Sequence, residues 1–313
     1  MLATATRSFT DPWEHQSFFR AADMKVLVTD RGVYSSELTR MDLHHLWMQR
    51  SQTTLPQITH LADHEYRRPI AFLTDVQQAP IYRNGEEVPP GTIVVSAPHA
   101  EYHYRMPTHC RIGFMSLAPD DLAVAGRAIA GCDLIAPKET RLIRPSEPHM
   151  ARLLGLHEAA GHLAATVPDL LAHPEVARAI EQELVRTMIT CLTEGMPVGN
   201  RRPSALVMQR FERVLEENPD QPLYLAEICA AIGIAERTLR LHCTQHLGMS
   251  PHRYLWLRRM NLARRALTLA DSTATTVTTV ANDHGFGELG RFSVAYRKQF
   301  GESPSATLHR TSH

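Results

Sequence analysis

The segment ERTLRLHCTQ, residues 236 to 245, sets Arg237 and Arg240 three positions apart with Leu239 between them. On a helix that spacing places both guanidiniums on one side and turns Leu239 inward. An outward guanidinium is a planar fork of donors that bonds two acceptors on a guanine edge, or a phosphate. Thr238 offers a hydroxyl to a base, a phosphate or a helix cap. Glu236, Leu241, Thr244 and Gln245 complete a candidate set on the same segment. A second set follows further on: Arg291 and Ser293, suited to base contacts, then Arg297 and Lys298, suited to phosphates.

Other chemistries find little purchase. His44, His45, His99 and His103 invite a metal reading, but no glutamate follows at the spacing a metal-binding barrel would need, and a chain with 18 histidines contains chance clusters. No metal and no cofactor is expected. The five cysteines lie far apart without a CxxC pair, so buried thiols are expected rather than disulfides or a zinc knuckle. No activated nucleophile, glycine-rich phosphate loop or paired catalytic carboxylate stands out. Trp47, Tyr82, Tyr102 and Tyr104 suit either a ligand cavity or core packing.

The candidate sets need a scaffold, and the chain writes one twice. HLGMSPHRYL, residues 246 to 255, is echoed by QFGESPSATL, residues 299 to 308, so that Gly248, Ser250 and Pro251 map onto Gly301, Ser303 and Pro304 with an offset of 53. A glycine ends one helix in the left-handed conformation, a serine caps the next, and a proline occupies its first turn. Before the first echo, Leu225 to Ile232 reads as a short helix, Gly233 as a turn, and Glu236 to His246 as a second helix. Before the other, Val277, Val280 and Ala281 precede a turn at Gly285, and Phe286, Phe292, Tyr296 and Phe300 follow it. Both are helix-turn-helix patterns. Between them, residues 251 to 270 form a helix with a broad apolar stripe through Trp256, Met260, Ala263 and Leu267, and a polar face carrying Arg258, Asn261 and Arg265.

Upstream the texture differs. Short apolar runs (MKVLVT, HHLWMQRS, PIAFLT, GTIVVS, RIGFMSL) separated by turn signals predict a β-barrel or sandwich up to about Leu117, with helices after Asp120. The last of these helices carries Val176, Ile180, Leu184, Met188 and Leu192 at four-residue steps, a stripe for its own barrel or for a second copy. A homodimer is expected. Gly and Pro around residues 195–204 predict a linker, dividing the chain into 1–194 and 205–313.

Composition agrees with this division. The net charge of zero hides an asymmetry: residues 1–200 hold 18 Lys and Arg against 23 Asp and Glu, whereas residues 201–313 hold 15 against 10. A basic C-terminal part suits a polyanion. No apolar run reaches the roughly 20 residues of a membrane span, so a cytoplasmic protein with no membrane contact is expected.

At these residues the chain resembles the AraC/XylS family of transcription regulators. The resemblance covers roughly the last 110 residues and is most specific in GFGELGRFSVAYRKQFGESP, where Phe292, Tyr296, Arg297, Phe300, Gly301, Ser303 and Pro304 sit at the family's spacing. It implies an α+β chain: an N-terminal β-rich, cupin-like barrel with trailing helices, then an all-α domain of two helix-turn-helix subdomains joined by a long helix. It further implies double-stranded DNA as partner, with the two recognition helices in successive major grooves, a small-molecule effector, RNA polymerase, and activation rather than repression. His242 and Cys243 depart from the family's apolar positions, and Leu289 and Gly290 from its base-facing polar ones. The expectation is a sequence-specific regulator without enzymatic activity; the alternative is a cupin-like metal-dependent enzyme fused to a DNA-binding module.

Overall fold

The computed structural model describes residues 3–20, 22–198, 205–219 and 221–310. The N-terminal part runs β1 (Ala3–Phe9), α1 (Pro12–Phe18), β2 (Ala22–Val28), β3 (Ser36–Asp42), β4 (Trp47–Thr53), β5 (Gln57–Asp63), β6 (Arg68–Leu73), β7 (Ile81–Arg83), β8 (Glu86–Val88), β9 (Ile93–Val95), β10 (Glu101–Met106) and β11 (Cys110–Leu117). Then come α2 (Pro119–Ala130), β12 (Arg141–Arg144), α3 (Glu147–Thr166), α4 (Pro168–Leu171), α5 (Pro174–Glu194) and β13 (Met196–Val198). The C-terminal part is helical: α6 (Ala205–Glu217), α7 (Leu225–Ile232), α8 (Glu236–Leu247), α9 (Pro251–Leu269), α10 (Val277–Asp283), α11 (Leu289–Phe300) and α12 (Pro304–Leu308).

The strands form two antiparallel sheets, ordered β1-β3-β4-β11-β6-β9-β12-β13 and β2-β5-β10-β7-β8. The chain is thus α+β, with each of the five apolar runs lying on a strand. The closed cupin-like barrel is not found. Closure requires edge strands to pair, and among the described residues no hydrogen-bonded pair joins the two sheets. The molecule is layered instead. Along the larger sheet successive side chains point to opposite faces, and both faces are covered. Leu38, Ala71, Leu73, Val94, Ile112 and Phe114 enter a core between the sheets, while Met41, Ile70, Phe72, Ile93 and Met115 enter a core under α2, α3 and α5.

Two sequence expectations change. The α5 stripe is sealed within its own domain, with Leu184 1% and Met188 2% exposed in the core under the larger sheet. It is therefore not free to pair with a second copy. Part of the expected linker is also structured, because Met196–Val198 pairs with β12; residues 199–204 lie outside the described residues. β12 falls where only helices were expected.

Candidate nucleic-acid interface

The 53-residue offset maps α8 onto α11 from end to end. Leu239, Cys243 and Leu247 point into the core of the first module, and Phe292, Tyr296 and Phe300 into that of the second. Buried without exposure, Cys243 occupies an apolar slot as a thiol whose pKa burial pushes up to about 12. Tyr296 Oη donates to Thr307 Oγ1 at 2.9 Å, pinning α11 to α12. Each helix ends on a glycine in the left-handed region, Gly248 at φ 70° and Gly301 at φ 78°, donating to Thr244 O and Arg297 O. Ser250 Oγ then accepts from Arg253 N, and Ser303 Oγ from Ala306 N, starting α9 and α12. The repeated phrase is therefore a repeated helix junction.

What these junctions hold outward is polar and basic. Glu236, Arg237, Thr238, Arg240, Leu241, Thr244 and Gln245 are all exposed on α8; on α11 Arg291, Arg297 and Lys298 are exposed and Ser293 is half-buried. The fold brings each predicted set onto one helix surface. Arg240 Nη2 rests 2.7 Å from Glu236 Oε1, and Arg291 Nε 3.0 Å from Glu288 Oε2. Exposed pairs like these are worth at most about 1 kcal/mol, so either guanidinium can exchange its carboxylate for another anion at small cost. Sequence reasoning missed Val294, which is 70% exposed at the position equivalent to Leu241. The offset itself would have found it.

A family model described as a helix-turn-helix domain matches residues 228–310. Over 101 residues the chain is 36% identical to XylDLEGF operon transcriptional activator 2 of Pseudomonas putida, covering 31% of this chain and 64% of that protein. The C-terminal part is therefore a helix-turn-helix domain similar to those of the AraC/XylS regulators. It is also 29% identical over 158 residues to the probable thc operon regulatory protein of Rhodococcus erythropolis, covering 50% of this chain and 48% of that protein, so the match spans about half of this relative. The HTH-type transcriptional activator RhaS of Salmonella schwarzengrund is 27% identical over 226 residues, covering 68% of this chain and 74% of that one.

The C-terminal part is docked on the smaller sheet. The register pairs Lys25 with His60 and His60 with His103, so three basic residues form a row across β2, β5 and β10. Glu212 and Glu216, one turn apart on α6, lie against that row. Lys25 Nζ is 2.5 Å and His60 Nδ1 3.9 Å from Glu216 Oε1, while His103 Nε2 is 3.0 Å from Glu212 Oε1. Tyr254 Oη donates to the same Glu212 oxygen at 3.2 Å. Burial pushes the Glu212 carboxyl upward, but His103, His60 and the Tyr254 hydroxyl outweigh it and take it down to about 2. Leu27 and Ile58 of the sheet complete the first module's core.

Both α8 and α11 touch the N-terminal domain near their C-terminal ends. The hairpin glycine Gly85, at φ 82°, lies against the Gln245 carbonyl of α8. Gln299 Nε2 donates to Asp30 O at 2.9 Å and Gly32 N donates to Gln299 O at 3.3 Å. His246 and Gln299 are equivalent under the offset, and both are 3% exposed. The early turns of α8 and α11, which carry most of the arginines, stay open.

A cavity of about 310 Å³ lies between the domains, bounded by Trp13, Lys25, Ile58, Leu215, Tyr254 and Arg265 among others. The polar face of α9 looks into it: Arg265 stacks over Trp13 at 4.2 Å, and Arg258 Nη2 donates to Leu215 O, Asn218 O and Pro219 O at the end of α6. The aromatics suggested for a ligand cavity do not line it. Tyr102 and Tyr104 are buried in the core between the sheets, and Trp47 lies under the guanidiniums of Arg20 and Arg67. His44, His45 and His99 are exposed, apart from buried His103. Among the described residues no group of three or more His, Cys, Asp and Glu is placed to hold a metal ion, and no helix is long and apolar enough to cross a membrane.

Proposed function

We propose that this protein is a sequence-specific, double-stranded-DNA-binding transcription regulator, more an activator than a repressor, acting in the cytoplasm through RNA polymerase. The observation that carries the reading is the pair of repeat-related helices, α8 and α11, whose early turns hold Arg237, Arg240 and Arg291 exposed on equivalently capped scaffolds. In that role Arg237, Thr238 and Arg240 contact bases from α8, with Glu236, Leu241, Thr244 and Gln245 beside them. Arg291 and Ser293 contact bases from α11, and Arg297 and Lys298 hold phosphates. The N-terminal domain senses a small molecule. The interdomain cavity supports this, because an occupant there touches the smaller sheet, α6 and α9 together. A homodimer on two half-sites fits the same reading, with its contact outside the Leu184–Met188 stripe.

The test is selection of duplexes from random DNA by the full chain, with and without metabolite extracts. Enrichment of one sequence, altered in affinity by an extract, supports the reading. A pool that stays random at low salt overturns it.

A further inference from the structure

The two recognition helices agree where they face inward and differ where they face outward, with one exception. Inward, the pairs Leu239/Phe292, Cys243/Tyr296 and Leu247/Phe300 are all buried. Outward, Arg237 faces Gly290 under the 53-residue offset, Thr238 faces Arg291, Arg240 faces Ser293, Thr244 faces Arg297 and Gln245 faces Lys298. Chemistry changes at each of these positions. At one outward position it does not: Leu241 and Val294 are both branched aliphatics, 55% and 70% exposed.

Neither side chain is explained by its own fold. Leu241 and Val294 are absent from the apolar cores of their modules. A β-branched valine on an open helix surface is also a weaker helix former than alanine or lysine. Each sits at the centre of its outward face, Leu241 one turn from Arg237 and Thr244, and Val294 one turn from Gly290 and Arg297. An aliphatic group ringed by guanidiniums and hydroxyls suits a polyanion that carries a small apolar feature. On the floor of a DNA major groove that feature is the C5-methyl group of thymine, the apolar mark among the base-edge donors and acceptors.

We propose that Leu241 and Val294 each read a thymine methyl, at two positions about one helical turn, roughly 10 base pairs, apart on the DNA. The inference rests on the DNA-binding reading above and adds to it a shared base preference in two modules whose polar readout differs. Each contact removes about one methyl group from water, worth about 0.8 kcal/mol or roughly fourfold in affinity.

The test replaces thymine by deoxyuridine, which differs from it only in lacking that methyl. In the duplex selected by the full chain, each thymine is replaced in turn and affinity is measured at one fixed salt concentration. Two positions about one turn apart are expected to lose roughly fourfold each. Leu241→Ala should abolish the penalty at one and Val294→Ala at the other, each leaving the opposite penalty intact. Both side chains are exposed, so both variants fold, and circular dichroism checks that they do. Deoxyuridine tolerated at every position overturns the inference while leaving DNA binding in place, and so do penalties that persist in both variants. Failure to enrich any duplex overturns the DNA-binding reading itself, and this inference with it.

Discussion

His103 Nε2 lies 3.0 Å from Glu212 Oε1, joining a strand of the N-terminal sheet to the first helix of the C-terminal domain through two side chains that are 4% and 7% exposed. Removing one partner of a buried pair strands the other, at a cost of about 3–5 kcal/mol. Glu212→Ala is expected to destabilise the full chain by that amount in urea denaturation. The double variant with His103→Ala should lose less than the sum of the single losses, because the second removal takes away the polar group that the first leaves without its partner. Strict additivity would show that the two groups are not coupled.

Acid should loosen the same junction. Burial holds His60 down at about 4, with Glu212, His103, Glu216 and Lys25 facing it; burial also holds His15 at about 4 and His157 at about 3. Below pH 6.5 the unfolded chain binds protons at these sites that the folded chain refuses, so stability falls as pH drops from about 6.5 towards 4. Glu212, ionised down to about 2 against an ordinary 4.5, adds a second loss at still lower pH. His60→Gln should flatten the upper part of the curve by about one proton, close to 1.4 kcal/mol per pH unit. An unchanged slope would exclude His60 as a titrating contributor.

The Gly85 hairpin should tolerate no side chain. A Cβ there meets both the left-handed backbone and the Gln245 carbonyl of the docked α8. Gly85→Ala is expected to cost about 1–3 kcal/mol and to speed proteolysis between the domains. Gly131→Ala, also left-handed at φ 69° but facing open space, provides the control for backbone strain alone. Equal losses in the two variants would mean that the docking contact adds nothing.

Arg240 and Arg297 should fail differently on DNA. Arg240→Ala is expected to cost about 1–3 kcal/mol on the selected duplex and to relax preference at one base pair. Arg297→Ala should weaken binding to all sequences alike and reduce the logarithmic salt slope by roughly 0.9. A sequence-selective loss at Arg297 would move it from phosphate to base.

Burial of the α5 stripe reverses what a charge there does. Leu184→Glu with Met188→Glu places two carboxylates in a closed core, where unpaired charge is not tolerated. The variant should lose its folded far-ultraviolet circular dichroism signal rather than become a folded monomer. A folded variant of half the molar mass would restore the stripe as a dimer contact.

What the sequence alone determined is the C-terminal pair of modules. Their caps, turns and core positions are local: Gly248 with Ser250, Gly301 with Ser303, and Leu239 and Phe292 act within a few residues, so spacing suffices to read them. The N-terminal strands were legible as short apolar runs for the same reason. Only the tertiary structure decided which faces meet. Lys25, His60 and His103 become one row because the strand register aligns three segments distant in sequence, and Glu212 and Glu216 meet that row only because α6 packs on that sheet. The α5 stripe followed the same logic. An amphipathic face specifies that it will be buried, and the packing of the layers against one another, a sum over contacts remote in sequence, specifies what buries it.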